Sequence, residues 1–194
     1  PVHSIDLRNN FQLESITHYD LIISIHCKQL FPIKLIQEVK CINVHPGYNP
    51  VNRGWYPHVF AIINDFEVGA TIHEIDKEID NGKIIVREKV MKYQYDTSIT
   101  LYNRIIDKEI DLLKKNIRNI LMDNYKSFEP ENEGNLFVKK DFNKLCSINL
   151  NEKTTMRNAI NKLRALTHGE FKNAYFFDQN GKKIFISIDL TYEE

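Results

Sequence analysis

The sequence predicts an α/β fold with a small α+β appendage, and three observations carry that prediction. Short β-branched runs alternate with helical stretches through the first part of the chain. One long amphipathic period closes that part, and a helix followed by an Asn-Gly hairpin ends the chain. The 194 residues divide accordingly into a core over 1–125, a polar linker over 126–134 and a small domain over 135–194.

The first apolar run, Leu21-Ile22-Ile23-Ser24-Ile25, is short and nearly continuous, as expected of a strand buried on both faces of a parallel sheet. Pro32 opens a short helix over 33–39. A second buried run over 41–44 stops at His45-Pro46-Gly47, and 45–54 is rich enough in Pro, Gly and Asn to be a loop. Residues 55–63 form a helix with Pro57 in its first turn. The stretch 68–75 alternates as a strand should, Val68, Ala70 and Ile72 against Gly69, Thr71 and His73. A loop over 76–82 leads to a strand over 83–91. Over 98–122, Leu101, Ile105, Ile106, Ile110, Leu113, Ile117, Ile120 and Leu121 recur at helical steps.

Beyond the linker, with its Pro130 and several acids, come a short strand over 136–138 and a helix over 154–166 capped by Thr154 or Thr155. The closing hairpin pairs 174–177 with 183–190 around Asp178-Gln179-Asn180-Gly181. A doubly wound domain normally opens with strand, helix and strand, yet only about 20 residues precede the first strand. The expectation is that the N-terminal strands of the core are missing from this chain.

Charge and cysteine usage exclude several function classes. Lys and Arg number 26, Asp and Glu 26, and the two signs are interleaved, so the basic footprint of a nucleic-acid binder is absent. No apolar run approaches the ~20 residues that cross a bilayer, and PVHSIDLRNN lacks the basic and apolar regions of a signal peptide. Cys27, Cys41 and Cys146 have no metal spacing and read as reduced thiols of a cytoplasmic protein. His45, His58 and His73 do not share ligand spacing on one element, so no metal is expected.

In open α/β sheets ligands sit at the carboxyl ends of the strands. Three such ends carry polar clusters: His26-Cys27-Lys28-Gln29, Asn43-Val44-His45-Pro46-Gly47, and Asp76, Glu78, Asp80 and Gly82. An amide, an imidazole and a carboxylate suit acyl transfer to an amine. Attack builds negative charge on the acyl oxygen, which an amide N–H₂ stabilises. A His accepts the amine's proton, and a carboxylate beside it orients the ring. Asn43 and His45 lie two apart and so point to the same side of a strand.

The combined stretches NVHPGYNPVNRG, GATIHEID and IDNGKII resemble the formyltetrahydrofolate-dependent formyltransferase family over roughly residues 20–120. That resemblance implies a Rossmann-like core, N10-formyltetrahydrofolate as donor, and catalytic places for Asn43, His45 and Asp80. The spacing from His45 to Asp80 is one residue short of the family pattern, a deletion placed in the 64–67 turn. Within the family, HPGYNPVNRGWYPHVFAIIN is most similar to the sugar-nucleotide N-formyltransferases. The implied acceptor is a dTDP-linked amino-dideoxyhexose for O-antigen or other surface glycans, with a C-4 amine favoured over C-3. A homodimer through the C-terminal part is implied as well.

The resemblance also implies that Lys28, Gln29, Leu30 and Phe31 hold the pterin from one side, with Glu78 and Ile79 on the facing loop. Lys28, Arg53, Trp55 and Tyr56 are the acceptor-binding candidates. The plainer alternatives are a solvated loop lysine for Lys28 and helix-start packing for Trp55 and Tyr56. His73 reads as packed against the site. The competing functions are a formyltetrahydrofolate hydrolase, a formyltransferase for another small amine, and a non-catalytic folate- or nucleotide-binding remnant.

Overall fold

The computed structural model describes residues 4–191 and 193. Positions 1–3, 192 and 194, at the outer ends of the two predicted domains, lie outside the described residues. Helix α1 (Asn10–Glu14) starts where the Asn9 side chain accepts from the Phe11 and Gln12 N–H groups. Strand β1 (Leu21–Ile25), helix α2 (Ile33–Glu38) and strand β2 (Lys40–His45) follow. Then come β3 (Arg53–Gly54), α3 (Pro57–Ile63), β4 (Gly69–Glu74), β5 (Ile84–Lys89) and α4 (Ser98–Leu121). The C-terminal part holds β6 (Leu136–Phe137), α5 (Lys139–Cys146), α6 (Met156–Leu166), β7 (Tyr175–Phe177) and β8 (Lys183–Phe185).

The main sheet has the order β1-β2-β4-β5. β1 and β2 run parallel, with Ser24 opposite Asn43 and Ile25 opposite Val44. β4 and β5 are antiparallel to their neighbours, so the sheet is mixed rather than wholly parallel. The physical reason for the last pairing is the connector: residues 75–83 carry no helix, whereas a parallel crossover needs about a dozen residues or more. β1 is also less buried than expected, with Leu21, Ile22 and Ile23 only partly covered and Ile25 exposed.

Two apolar layers sandwich the sheet. On one face Ile42, Val44, Ala70 and Ile72 pack with Val59 and Ile62 of α3 and with Leu101, Ile105 and Leu112 of α4. On the other, Cys41 packs with Leu13, Leu35 and Val39. The period-two alternation of β2 thus assigns Ile42 and Val44 to one layer and Cys41 to the other, and Asn43 and His45 follow Cys41. α4 is set by Thr97, whose N–H donates to Thr100 Oγ1 in a capping box.

The C-terminal segment is fastened to this core at several points. β6 pairs with β3, and the Phe128 backbone pairs with Ile84. Buried Arg164 of α6 donates to the Tyr93 and Asp96 carbonyls at 3.1 and 2.9 Å. Thr155, not Thr154, caps α6 by accepting from Asn158 N–H. Residues 139–146, for which no element is expected from the sequence, form α5. The second strand of the closing hairpin stops at Phe185 rather than reaching 190.

Candidate active site

β2 ends in a cleft of about 670 Å³. The loop after β1 and the loop after β4 form its lips. Asp80 occupies a left-handed backbone conformation at φ 49° and turns its carboxylate toward β2. Its Oδ1 accepts from Asn43 Nδ2 at 3.0 Å, and its Oδ2 accepts from the Gly54 N–H at 2.9 Å. His45 Nδ1 lies 3.5 Å from Oδ2 and His73 Nε2 3.4 Å from Oδ1. The β2–β4 register explains this gathering, because Asn43 stands directly opposite His73.

The tautomer of His45 follows from its other nitrogen. Nε2 sits 2.8 Å from the Asn52 carbonyl, which can only accept, so Nε2 carries a proton and a neutral ring keeps its lone pair on Nδ1. Gly47 makes that contact possible, since a Cβ there would collide with both His45 Nε2 and the Asn52 carbonyl. Gly54 is required for a different reason. It adopts φ 86°, and a Cβ would strike the Phe137 carbonyl, so the N–H that meets Asp80 needs glycine.

Burial alone would raise the Asp80 carboxyl. The imidazoles of His45 and His73 and the Gly54 N–H overcome it and hold the group well below the usual carboxylate range. Asn43 has a second N–H, whose nitrogen lies 3.3 Å from His73 Nε2. His73 Nδ1 donates to the Glu74 carbonyl at 2.7 Å, so in the neutral ring Nε2 accepts from that amide, and only a doubly protonated His73 would donate to Asp80 and release the amide hydrogen to another acceptor.

Lys28, Gln29, Leu30 and Phe31 line one lip, Glu78 and Ile79 the facing one, and Trp55 and Tyr56 the adjoining wall. The Gln29 side chain is spent elsewhere, accepting from Leu7 N–H and donating to the Ile5 carbonyl. Arg53 is a correction. It is buried and absent from the cleft wall, with Nη1 donating to Asn81 Oδ1 and Nε left without a partner. It is therefore not poised to meet an acceptor phosphate.

The wall opposite the Asp80 cluster comes from residues that the sequence reading did not assign. His26, His58, Tyr102, His168 and Phe171 line it. Tyr102 is its hub, with ring centroids 5.0 Å from His58, 5.5 Å from His168 and 6.2 Å from His26. Burial, reinforced by His168, pushes His58 down to about 3. Burial also lowers His168, whose Nδ1 pairs with Ser98 Oγ at 2.9 Å. The only signal for this wall in the sequence was the polar run His26–Gln29 at the end of β1. The other residues are scattered over three distant segments.

Residues 7–117 match the formyl transferase family profile, and residues 141–192 match the N-formyltransferase dimerization C-terminal domain. Over 181 residues the chain is 46% identical to a dTDP-4-amino-4,6-dideoxyglucose formyltransferase of Mycobacterium tuberculosis, covering 93% of this chain and 77% of that protein. A crystal structure of a 4-N formyltransferase from Francisella tularensis superposes with a TM-score of 0.93 at 45% identity, covering 97% of this chain and 78% of that one. An N-formyltransferase from Helicobacter canadensis, solved with folinic acid and dTDP-3-aminofucose, is more distant: TM-score 0.63, 28% identity, 74% of this chain and 53% of that one.

Proposed function

The chain belongs to the formyl transferase family, and from that premise we propose that it formylates the C-4 amine of dTDP-4-amino-4,6-dideoxyglucose, with N10-formyltetrahydrofolate as donor. The observation that carries the reading is the ionised Asp80 carboxylate within 3.5 Å of His45 Nδ1, at the end of the strand that presents Asn43. The identity to the Mycobacterium tuberculosis enzyme supports the choice of acceptor.

In this account the sugar amine attacks the formyl carbon. A carbon–nitrogen bond forms, and the carbonyl π pair moves onto oxygen. Asn43 turns the N–H that faces His73 Nε2 to that oxygen. The Asn52 carbonyl orients the His45 ring through Nε2, Nδ1 accepts the proton that the amine sheds, and Asp80 balances the charge the ring then carries. Collapse of the intermediate breaks the bond to N10, which leaves with the proton that His45 returns. Lys28–Phe31 and Glu78–Ile79 hold the pterin between the two lips, while Trp55 and Tyr56 flank the acceptor. The exposed Phe177, Ile184 and Phe185 of the hairpin are suited to a homodimer contact. The three free thiols fit a cytoplasmic setting, and the product fits surface-glycan assembly such as O-antigen synthesis.

The test is to incubate the full-length protein with N10-formyltetrahydrofolate, with and without dTDP-4-amino-4,6-dideoxyglucose. Mass spectrometry should find the sugar nucleotide heavier by one formyl group, and donor should be consumed only when the sugar is present. Donor consumed equally fast without the sugar would identify a hydrolase instead.

A further inference from the structure

We propose that Asn49 is a positioning residue for Asp80: its side-chain amide ties the Asp80 backbone to the same strands that fix His45. The inference rests on the reading of Asp80 as the charge partner of His45 in formyl transfer. Asn49 is 1% exposed and absent from the cleft wall, so it acts through another residue and not on donor or acceptor. Its Nδ2 donates to the Asp80 backbone carbonyl at 2.9 Å. A carbonyl can only accept, so the amide nitrogen and not its oxygen must face Asp80. That oxygen, Oδ1, is buried without a partner. An unmatched buried acceptor is costly, and an apolar side chain of similar size would avoid the cost. What the amide supplies in return is the bond to Asp80.

Asp80 needs such a tie. It lies on the connector over 75–83, outside any helix or strand, and holds φ 49°, a conformation disfavoured for a residue with a Cβ. From that backbone its carboxylate meets Asn43 Nδ2, the Gly54 N–H and the imidazoles of His45 and His73. A turn of the Asp80 backbone to an extended conformation would swing the side chain off all four.

The other end of the tie is anchored in the sheet. The Asn49 N–H donates to Thr71 Oγ1 at 3.1 Å, and Thr71 Oγ1 donates on to the Gly47 carbonyl at 2.7 Å. Arg87 Nη1 donates to the Asn49 carbonyl. Thr71 of β4 stands opposite Arg87 of β5 on one side and opposite His45 of β2 on the other. A single cross-strand row, His45, Thr71 and Arg87, thus carries the imidazole directly and the carboxylate through Asn49. The two reacting partners share one frame although 35 residues of chain, including a helix, separate them.

The experiment compares the parent, Asn49→Leu, Asp80→Asn and the double variant, with folding checked by circular dichroism. Two quantities are read: kcat at saturating donor and acceptor, and the titration of the Asp80 carboxyl by carbon-13 NMR, its resonance identified by its loss in Asp80→Asn. In Asn49→Leu, kcat should fall at least about tenfold, as for a displaced catalytic group. Burial opposes the ionised Asp80 carboxyl while His45, His73 and the Gly54 N–H hold it low, so a carboxylate that leaves those partners should titrate higher than in the parent. With Asp80→Asn already in place, adding Asn49→Leu should change kcat by no more than about threefold, because the two changes remove one function. A folded Asn49→Leu protein with the parent's kcat and an unmoved Asp80 titration overturns the inference. So does a fall in kcat that persists undiminished in the Asp80→Asn background with the titration unmoved. If Asn49→Leu does not fold, Asn49→Ala takes its place under the same criteria. An Asp80→Asn protein with near-parent kcat overturns the reading of Asp80 itself, whereas an inactive Asp80→Asn beside an indifferent Asn49→Leu overturns only the positioning role.

Discussion

On one wall of the cleft two imidazoles, His45 and His73, flank the Asp80 carboxylate; on the other, His58 and His168 pack around a tyrosine with no carboxylate beside them. The residue type is the same and the surroundings are opposite. Beside Asp80, an imidazole that gains a proton meets a fixed negative charge. For His58 and His168 the same gain has no carboxylate to offset the loss of hydration, and burial lowers both rings below the ordinary imidazole value. On the proposed function, position relative to Asp80 thus separates the wall that would handle protons from the part of the other wall formed by His58 and His168.

Removing the carboxylate is the strongest way to break this contrast. Asp80→Asn keeps the size of the side chain but leaves His45 without its charge partner. The variant should lose about 10³- to 10⁴-fold in kcat, the scale on which a catalytic imidazole depends on its carboxylate partner. Steady-state kinetics on folded protein checks it, and a loss below tenfold would make Asp80 a structural residue only.

The opposite wall sharpens the contrast through pH. His58 is held at about 3 in the folded protein against an ordinary 6.5. As pH falls below 6.5, the unfolded chain therefore takes up a proton that the folded chain refuses, and stability declines down to about 3. At about pH 5.5 this costs on the order of 1 kcal/mol. Urea unfolding of His58→Phe should show a smaller loss than the parent between roughly neutral pH and pH 5.5, by about that amount. An equal loss in both proteins would mean that His58 is protonated within the folded wall.

The legibility of the two walls differed for a physical reason. β1, β2 and α4 follow from local periodicity, and Leu101 and Ile105 fall where a helical stripe places them. Asn43 and His45 share a strand, and Asp80 lies in a compact motif, so the wall around Asp80 could be read from short stretches. The histidine-rich wall joins β1's end, α3, α4 and the turn after α6, and no local pattern reports such a meeting. Glu109 is one charge among many along α4, and only the packed fold reveals that it is buried. Arg53 is buried with its Nη1 on Asn81, a setting that only the tertiary structure reveals. The antiparallel course of β5 was readable in principle from its helix-free connector. α5 was harder: it is short, and Cys146 is its one buried residue.

The proton-accepting role of His45 is the centre of the account, and His45→Ala tests it most directly. Turnover with N10-formyltetrahydrofolate and dTDP-4-amino-4,6-dideoxyglucose should fall at least ~10²-fold, as for loss of a general base, while binding of the dTDP-sugar measured by calorimetry stays close to that of the parent. Near-normal turnover in the folded variant would contradict it.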